Sequence, residues 1–253
     1  MLRFLPLITA ILVIGFTSLV SIPGSPYLIG GMTQADISNM FPTAITPAGI
    51  TFAIWSVIYL SWILAGLVIS GLPVTRLTKK YFPKLTQYLS ADESKKVKYS
   101  FASAIFLTAL WLIPWGYQMI GVALIVMLLL LFVLKYAFHH SRKSSPLVKG
   151  SIELTLGWIN IATVANITIW LVSLGFRGGS ISETYWAIGV LGLALVLTAY
   201  YQCRYRAYII SLVFLWTLYG VWLAHPIVEQ RFTVILYAIV TIVNVLYSFA
   251  KKK

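Results

Sequence analysis

Acidic residues are nearly missing from this chain: six Asp and Glu stand against nineteen Lys and Arg in 253 residues. Charge of either sign is scarce at 10%, whereas a soluble globular domain carries about 25%. Cysteine is limited to Cys203, which excludes a disulfide-stapled scaffold. Hydrophobic residues make up 60% and the mean hydropathy is +0.89, which excludes disorder and collagen. Catalytic signatures are missing as well. There is no nucleophile motif, no Walker loop, no metal-spaced His/Cys set and no aspartate-rich prenyl-diphosphate motif. A net charge of +13 would suit a nucleic-acid partner, but the cations sit between apolar stretches, where topology determinants lie, so no nucleic acid is expected.

What is present is a series of long apolar runs. They are continuous over about 20 residues, the length of a membrane helix, and do not alternate over about 10 as barrel strands do. The expected fold is an all-α integral membrane protein, an eight-helix transmembrane bundle with spans at 4–22, 48–71, 99–116, 118–138, 151–174, 185–202, 207–224 and 232–250. The third and fourth spans are written as one run from Tyr99 to Phe138. As a single helix it would be about 60 Å long, twice the hydrocarbon core, so it must fold back. The break falls at Pro114-Trp115-Gly116-Tyr117-Gln118, with Trp115 and Tyr117 suited to the interface.

The cations give the orientation. With both termini cytoplasmic, seventeen basic residues fall on inside segments, among them Arg76, Lys79, Lys84, Arg142, Lys143, Arg204 and Lys251 to Lys253. Only Arg177 and Arg231 fall outside, a strong positive-inside asymmetry that losing any internal span would destroy. The first span has two readings, a retained helix or a signal peptide ending near Ser21-Ile22-Pro23-Gly24. The inside loop 72–98 carries seven cations and Asp92-Glu93. It reads as a topology anchor attracted to anionic headgroups, with a dedicated lipid site as the alternative. The outside loop 23–47 is rich in Gly, Pro, Ser and Thr.

Three constellations stand out. In the first, Pro42 and Pro47 precede Trp55 and Tyr59, with Thr46 as a candidate N-cap and Pro47 at the first helical position. Trp55 and Tyr59 are four apart and Trp62 lies beside them, forming either a packing ridge or one wall of a pocket for a flat ligand. In the second, Trp111 and Trp115 repeat the spacing of four. In the third, Trp158, Ala162 and Asn166 lie at i, i+4 and i+8. Ala162 permits close approach, and the mid-span amide of Asn166 needs a partner, either a neighbouring helix or a ligand. Asn160 and Thr163 occupy another face and offer a second interhelical contact.

Taken together, Pro42…Pro47…Trp55-x3-Tyr59…Gly66, Leu110-Trp111-Leu112-Ile113-Pro114-Trp115 and Trp158-x3-Ala162-x3-Asn166 resemble the TspO/MBR family, the tryptophan-rich sensory or translocator proteins. The resemblance implies a TspO-like five-helix core over 1–175, with three additional helices and a basic tail over 176–253, as in the longer branch of that family. It also implies binding of a flat apolar ligand, a tetrapyrrole such as a porphyrin or haem, by Trp55, Tyr59, Trp111, Trp115, Trp158, Ala162 and Asn166. Three residues depart from the family pattern. Thr108 stands where an asparagine is common, and Leu154-Thr155 where Pro-Tyr usually precedes the fifth-helix tryptophan.

The remaining polar groups have structural readings with functional alternatives. Glu153 can pair with Lys149 or act as a gate or proton site. His139-His140 closes a helix, where imidazole suits the dipole, with haem ligation as the other option. Cys203 reads as a reduced thiol. Tyr200, Tyr201, Tyr205 and Tyr208 bracket Arg204 and Arg206 as an interfacial belt. The expected function is a membrane sensor, carrier or regulator whose partners are the bilayer and a small apolar ligand; a homo-oligomer stays open. The alternatives are a small-solute transporter lined by Gln118, Glu153, Asn160 and Asn166, and a membrane enzyme acting on an isoprenoid or pigment.

Overall fold

The structure, a computed structural model, describes residues 2–72, 80–81 and 93–250. Most of the inside loop, with Arg76, Lys79, Lys84 and Asp92, and the tail Lys251 to Lys253 lie outside the described residues.

Among the described residues there are nine α-helices and no strand. They are α1 (Leu5–Ser21), α2 (Gln34–Met40), α3 (Ile54–Ser70), α4 (Lys95–Gly116), α5 (Ile120–His140), α6 (Pro146–Ser173), α7 (Glu183–Tyr205), α8 (Tyr208–Ala224) and α9 (Val228–Ala250). Counting the 3-10 turns that lead into or out of them, seven are long and apolar enough to cross a membrane, and α8 is a shorter apolar helix. These eight match the eight apolar runs of the sequence. At 1.5 Å per residue α8 is about 26 Å long, slightly under the hydrocarbon thickness. The protein is an all-α, multi-pass integral membrane protein.

Local sequence explains the ends of these helices. Pro114 sits in the last turn of α4, which stops at Gly116; Gln118 then takes a left-handed φ of 58° to reverse the chain into α5. Arg206 does the same between α7 and α8 with φ 55°, its N–H donating to the Gln202 carbonyl at 2.8 Å. Ser145 caps α6 through a Val148 N–H bond of 3.3 Å, and Pro146 takes the first helical position. That signal starts α6 five residues before the apolar run. Two expectations are corrected. The Thr46 hydroxyl pairs with Thr43 at 2.8 Å instead of capping a helix, and the chain enters α3 through a 3-10 turn, Gly49–Ala53. Trp115 is buried at 3% exposure, leaving Tyr117 as the exposed ring at that end.

The chain divides into two compact units. The first comprises Met1–Thr33 and Ile54–Leu156, the second Gln34–Ala53 and Gly157–Lys253, a different partition from 1–175 and 176–253. In the first unit, α1 packs on both α3 and α4, and α5 packs on α4. Gly66 permits the α1–α3 approach, since a Cβ there would lie 2.8 Å from the Leu7 Cα. Gly30, at φ +67°, lets the 3-10 turn Ile29–Gly31 settle on the end of α4, where a Cβ would meet the Gly116 carbonyl at 2.1 Å. In the second unit, α7, α8 and α9 pack mutually around Leu191, Phe214, Leu218 and Val234. Helix α9 is the least buried of the long apolar helices: 11% of its most apolar window is buried, with Phe232, Ile235, Ile239 and Leu246 exposed. A bilayer solvates such a surface, so it needs no protein cover.

Candidate functional site

In the first unit the helical spacing does bring the α3 aromatics together. The Trp55 and Tyr59 rings lie 5.6 Å apart, Tyr59 and Trp62 5.3 Å, and Trp55 and Trp62 6.4 Å. Trp55 and Tyr59 are half-buried, whereas Trp62 is fully buried. Its indole N–H donates to the Thr155 hydroxyl at 2.9 Å, and that hydroxyl donates to the Ser151 carbonyl at 2.8 Å. The Ser61 and Ser151 hydroxyls pair at 2.9 Å one turn away. A polar seam therefore joins α3 to the start of α6. Sequence reasoning missed Ser61 and Ser151 and treated Thr155 only as a departure. The available signal was small polar residues on otherwise apolar runs.

On α4, Trp111 and Trp115 stack with centroids 5.0 Å apart and planes 28° from parallel. The buried Trp115 indole N–H has no hydrogen-bond partner among the described residues. Thr108 turns its hydroxyl back to the Ala104 carbonyl at 3.0 Å. Glu153 is 4% exposed and ion-paired with Lys149 at 3.5 Å, the i,i+4 partner its spacing suggested.

In the second unit, Trp158 is buried against the edge of Phe52, with centroids 6.0 Å apart and planes at 83°. Asn166 is buried and donates to the Ala162 carbonyl at 2.9 Å, one turn back on the same helix. Asn160 bonds the Tyr201 hydroxyl, an interhelical contact from α6 to α7. The proline-rich stretch before α3 is tied to the last two helices. The Ala48 N–H donates to the Gly220 carbonyl at 3.0 Å, and the Trp216 indole to the Thr51 carbonyl at 2.9 Å. His225 Nε2 donates to the Thr46 carbonyl at 2.9 Å, and the Gln230 amide donates to the Ala44 carbonyl. Gly220 is required here, because a Cβ would lie 3.0 Å from the Pro47 Cβ and 2.0 Å from the Thr51 hydroxyl. Trp216, His225 and Gln230 were not singled out for this role; hydropathy and spacing do not reveal which distant carbonyls a side chain will reach.

Behind Pro42, Ala44 and Ile45, beside Phe176 and Trp186, the second unit holds a crevice of about 20 Å³, enough for roughly one water and no ring ligand.

The family pattern of the TSPO-like proteins matches residues 3–250. The chain belongs to the TSPO-like protein family. The TSPO-like match runs through α7, α8 and α9, so the helices that hold the proline-rich stretch lie within the family pattern. No curated protein and no solved structure matches the chain.

Proposed function

We propose that this TSPO-like protein binds a flat apolar ligand, a tetrapyrrole in the first instance, on aromatic side chains of its membrane helices. The observation that carries the reading is the buried, unpartnered indole N–H of Trp115 beside the Trp111 ring. A buried donor without an acceptor is costly, and a ligand acceptor would satisfy it once the packing around Trp115 opens. Trp55 and Tyr59 offer further half-buried ring surface in the same unit. The family resemblance adds Trp158, Ala162 and Asn166 of the second unit, which are tested separately. Such binding suits a sensor, carrier or regulator. The transporter reading gains no support: Gln118 reaches Met32 at 3.6 Å, Asn160 bonds Tyr201, Asn166 bonds Ala162 and Glu153 pairs with Lys149.

The test is a titration of the detergent-purified protein with protoporphyrin IX and with haem, read by tryptophan quenching and the Soret shift. Saturable binding is expected, weakened about tenfold by Trp115→Phe through loss of the N–H donor. Trp158→Phe and Asn166→Ala report on the second unit. No saturable binding by a protein of intact helicity would overturn the proposal.

A further inference from the structure

One end of the first unit carries an open depression of about 670 Å³, outside the aromatic clusters. Its walls come from the α5–α6 turn and the start of α4: His139, His140, Arg142, Lys143, Ser144 and Ser94. Arg142 and Lys143 are exposed on the short 3-10 turn Ser141–Lys143.

The turn is tied at its far end to a buried acid, Glu93. Its carboxylate accepts the Ser144 hydroxyl and, at 3.0 Å, the Ser145 N–H. The carboxylate on the depression is thus tied into the scaffold, and Arg142 and Lys143 line the same depression. His140 is oriented too, because its Nδ1–H donates to the Tyr136 carbonyl at 2.9 Å and its ring lies 4.2 Å from the Tyr136 ring. The other imidazole nitrogen remains as a polar edge. On α4 the two residues after Ser94 are Lys95 and Lys96, which add positive charge beside the same rim.

We propose that this depression binds a phosphate group, presented by an anionic lipid headgroup or as a soluble phosphate. A guanidinium and an ammonium on adjacent residues, with the Ser94 hydroxyl beside them, are the donor types that phosphate oxygens take. The position also fits. The depression lies where α4 begins and α5 ends, so it sits at the depth of headgroups when those helices span a bilayer. A volume of about 670 Å³ is of the size that holds small polar molecules with their water.

A basic membrane-protein surface also attracts anionic lipids without any site, and the experiment separates the two. Full-length protein in nanodiscs of phosphatidylcholine is titrated with phosphatidic acid, and the bound lipid is counted by native mass spectrometry. A second arm titrates the detergent-purified protein with inorganic phosphate and asks whether phosphate displaces the lipid. Three variants are compared: Arg142→Gln with Lys143→Gln, Arg204→Gln with Arg206→Gln, and the charge-conserving Arg142→Lys with Lys143→Arg. The first and second remove the same charge, at this turn or at the α7–α8 turn.

The expected result is saturable binding of one phosphatidic acid that falls about tenfold or more in the first variant, as for loss of charge-assisted hydrogen bonds. It should fall less than about twofold in the second, as expected of distant charges screened by salt. The third variant should largely restore it. Displacement by inorganic phosphate assigns recognition to the phosphate itself; retention of the lipid against phosphate assigns it to the lipid-borne headgroup. Equal losses in the first two variants, or no saturable binding in either arm, would overturn the proposal.

Discussion

The Trp62–Thr155 pair shows how one residue change can be read physically. The indole is fully buried, so its N–H can reach no water, and the Thr155 hydroxyl is the acceptor at 2.9 Å. Thr155→Val keeps the shape and removes that acceptor. Interhelical hydrogen bonds in membranes average about 0.6 kcal/mol, whereas stranding a buried donor costs about 1–3 kcal/mol. Thr155→Val strands one, so the expected loss is about 1 kcal/mol or more, measured as reduced thermal stability in detergent. Adding Trp62→Phe removes the stranded donor, so the double variant should lose less than the sum of the two single changes. Strict additivity would mean that the bond contributes nothing. The same residue bears on legibility. Leu154-Thr155 was noticed in the sequence only as a departure from the family's Pro-Tyr, yet Thr155 anchors a tryptophan of the first motif. A substitution can be spotted in a sequence, but the partner that gives it meaning is 93 residues away.

At the scale of elements, the long apolar helices were legible and the polar contacts that join them were not. Apolar run length and the Pro114-to-Gln118 break located α4 and α5, because a bilayer of fixed thickness punishes any other division. Helix α2 was missed because Gln34–Met40 is short and polar, with no apolar period to detect. The docking of residues 44–51 on α8 and α9 was missed because it rests on backbone carbonyls, which every sequence has. That docking has a measurable consequence. His225→Phe with Gln230→Leu removes two of its donors, while Ala48 N–H to Gly220 and Trp216 to Thr51 remain. Each lost bond contributes about 0.5–1.5 kcal/mol, and about 1.4 kcal/mol corresponds to tenfold in local opening. Amide hydrogen exchange at Ala48 and Thr51 should therefore accelerate about tenfold or more, with α4 and α5 amides unchanged. Unaltered exchange at Ala48 would show that the two donors do not hold the segment.

For the whole molecule, the strongest information in the sequence concerns orientation, because it accumulates over every loop. Seventeen cations against two predict one topology over its inverse, and eight spans, with the short α8 among them, would return both termini to the same side. The candidate ligand site was less legible. Ring spacing predicted the α3 and α4 clusters, but the unpartnered Trp115 donor follows from packing, which no spacing reveals. Orientation can be tested with a probe the chain already carries. Cys203 is its one cysteine and is exposed near the end of α7, beside Arg204 and Arg206. If both termini are cytoplasmic, a membrane-impermeant maleimide should leave Cys203 unlabelled in intact cells and label it after permeabilisation. In a Cys203→Ser background, Ser180→Cys on the opposite, exposed loop should label in both conditions. Labelling of Cys203 before permeabilisation, with Ser180→Cys protected, would invert the topology. It would also place the α5–α6 turn, with Arg142 and Lys143, on the outer face.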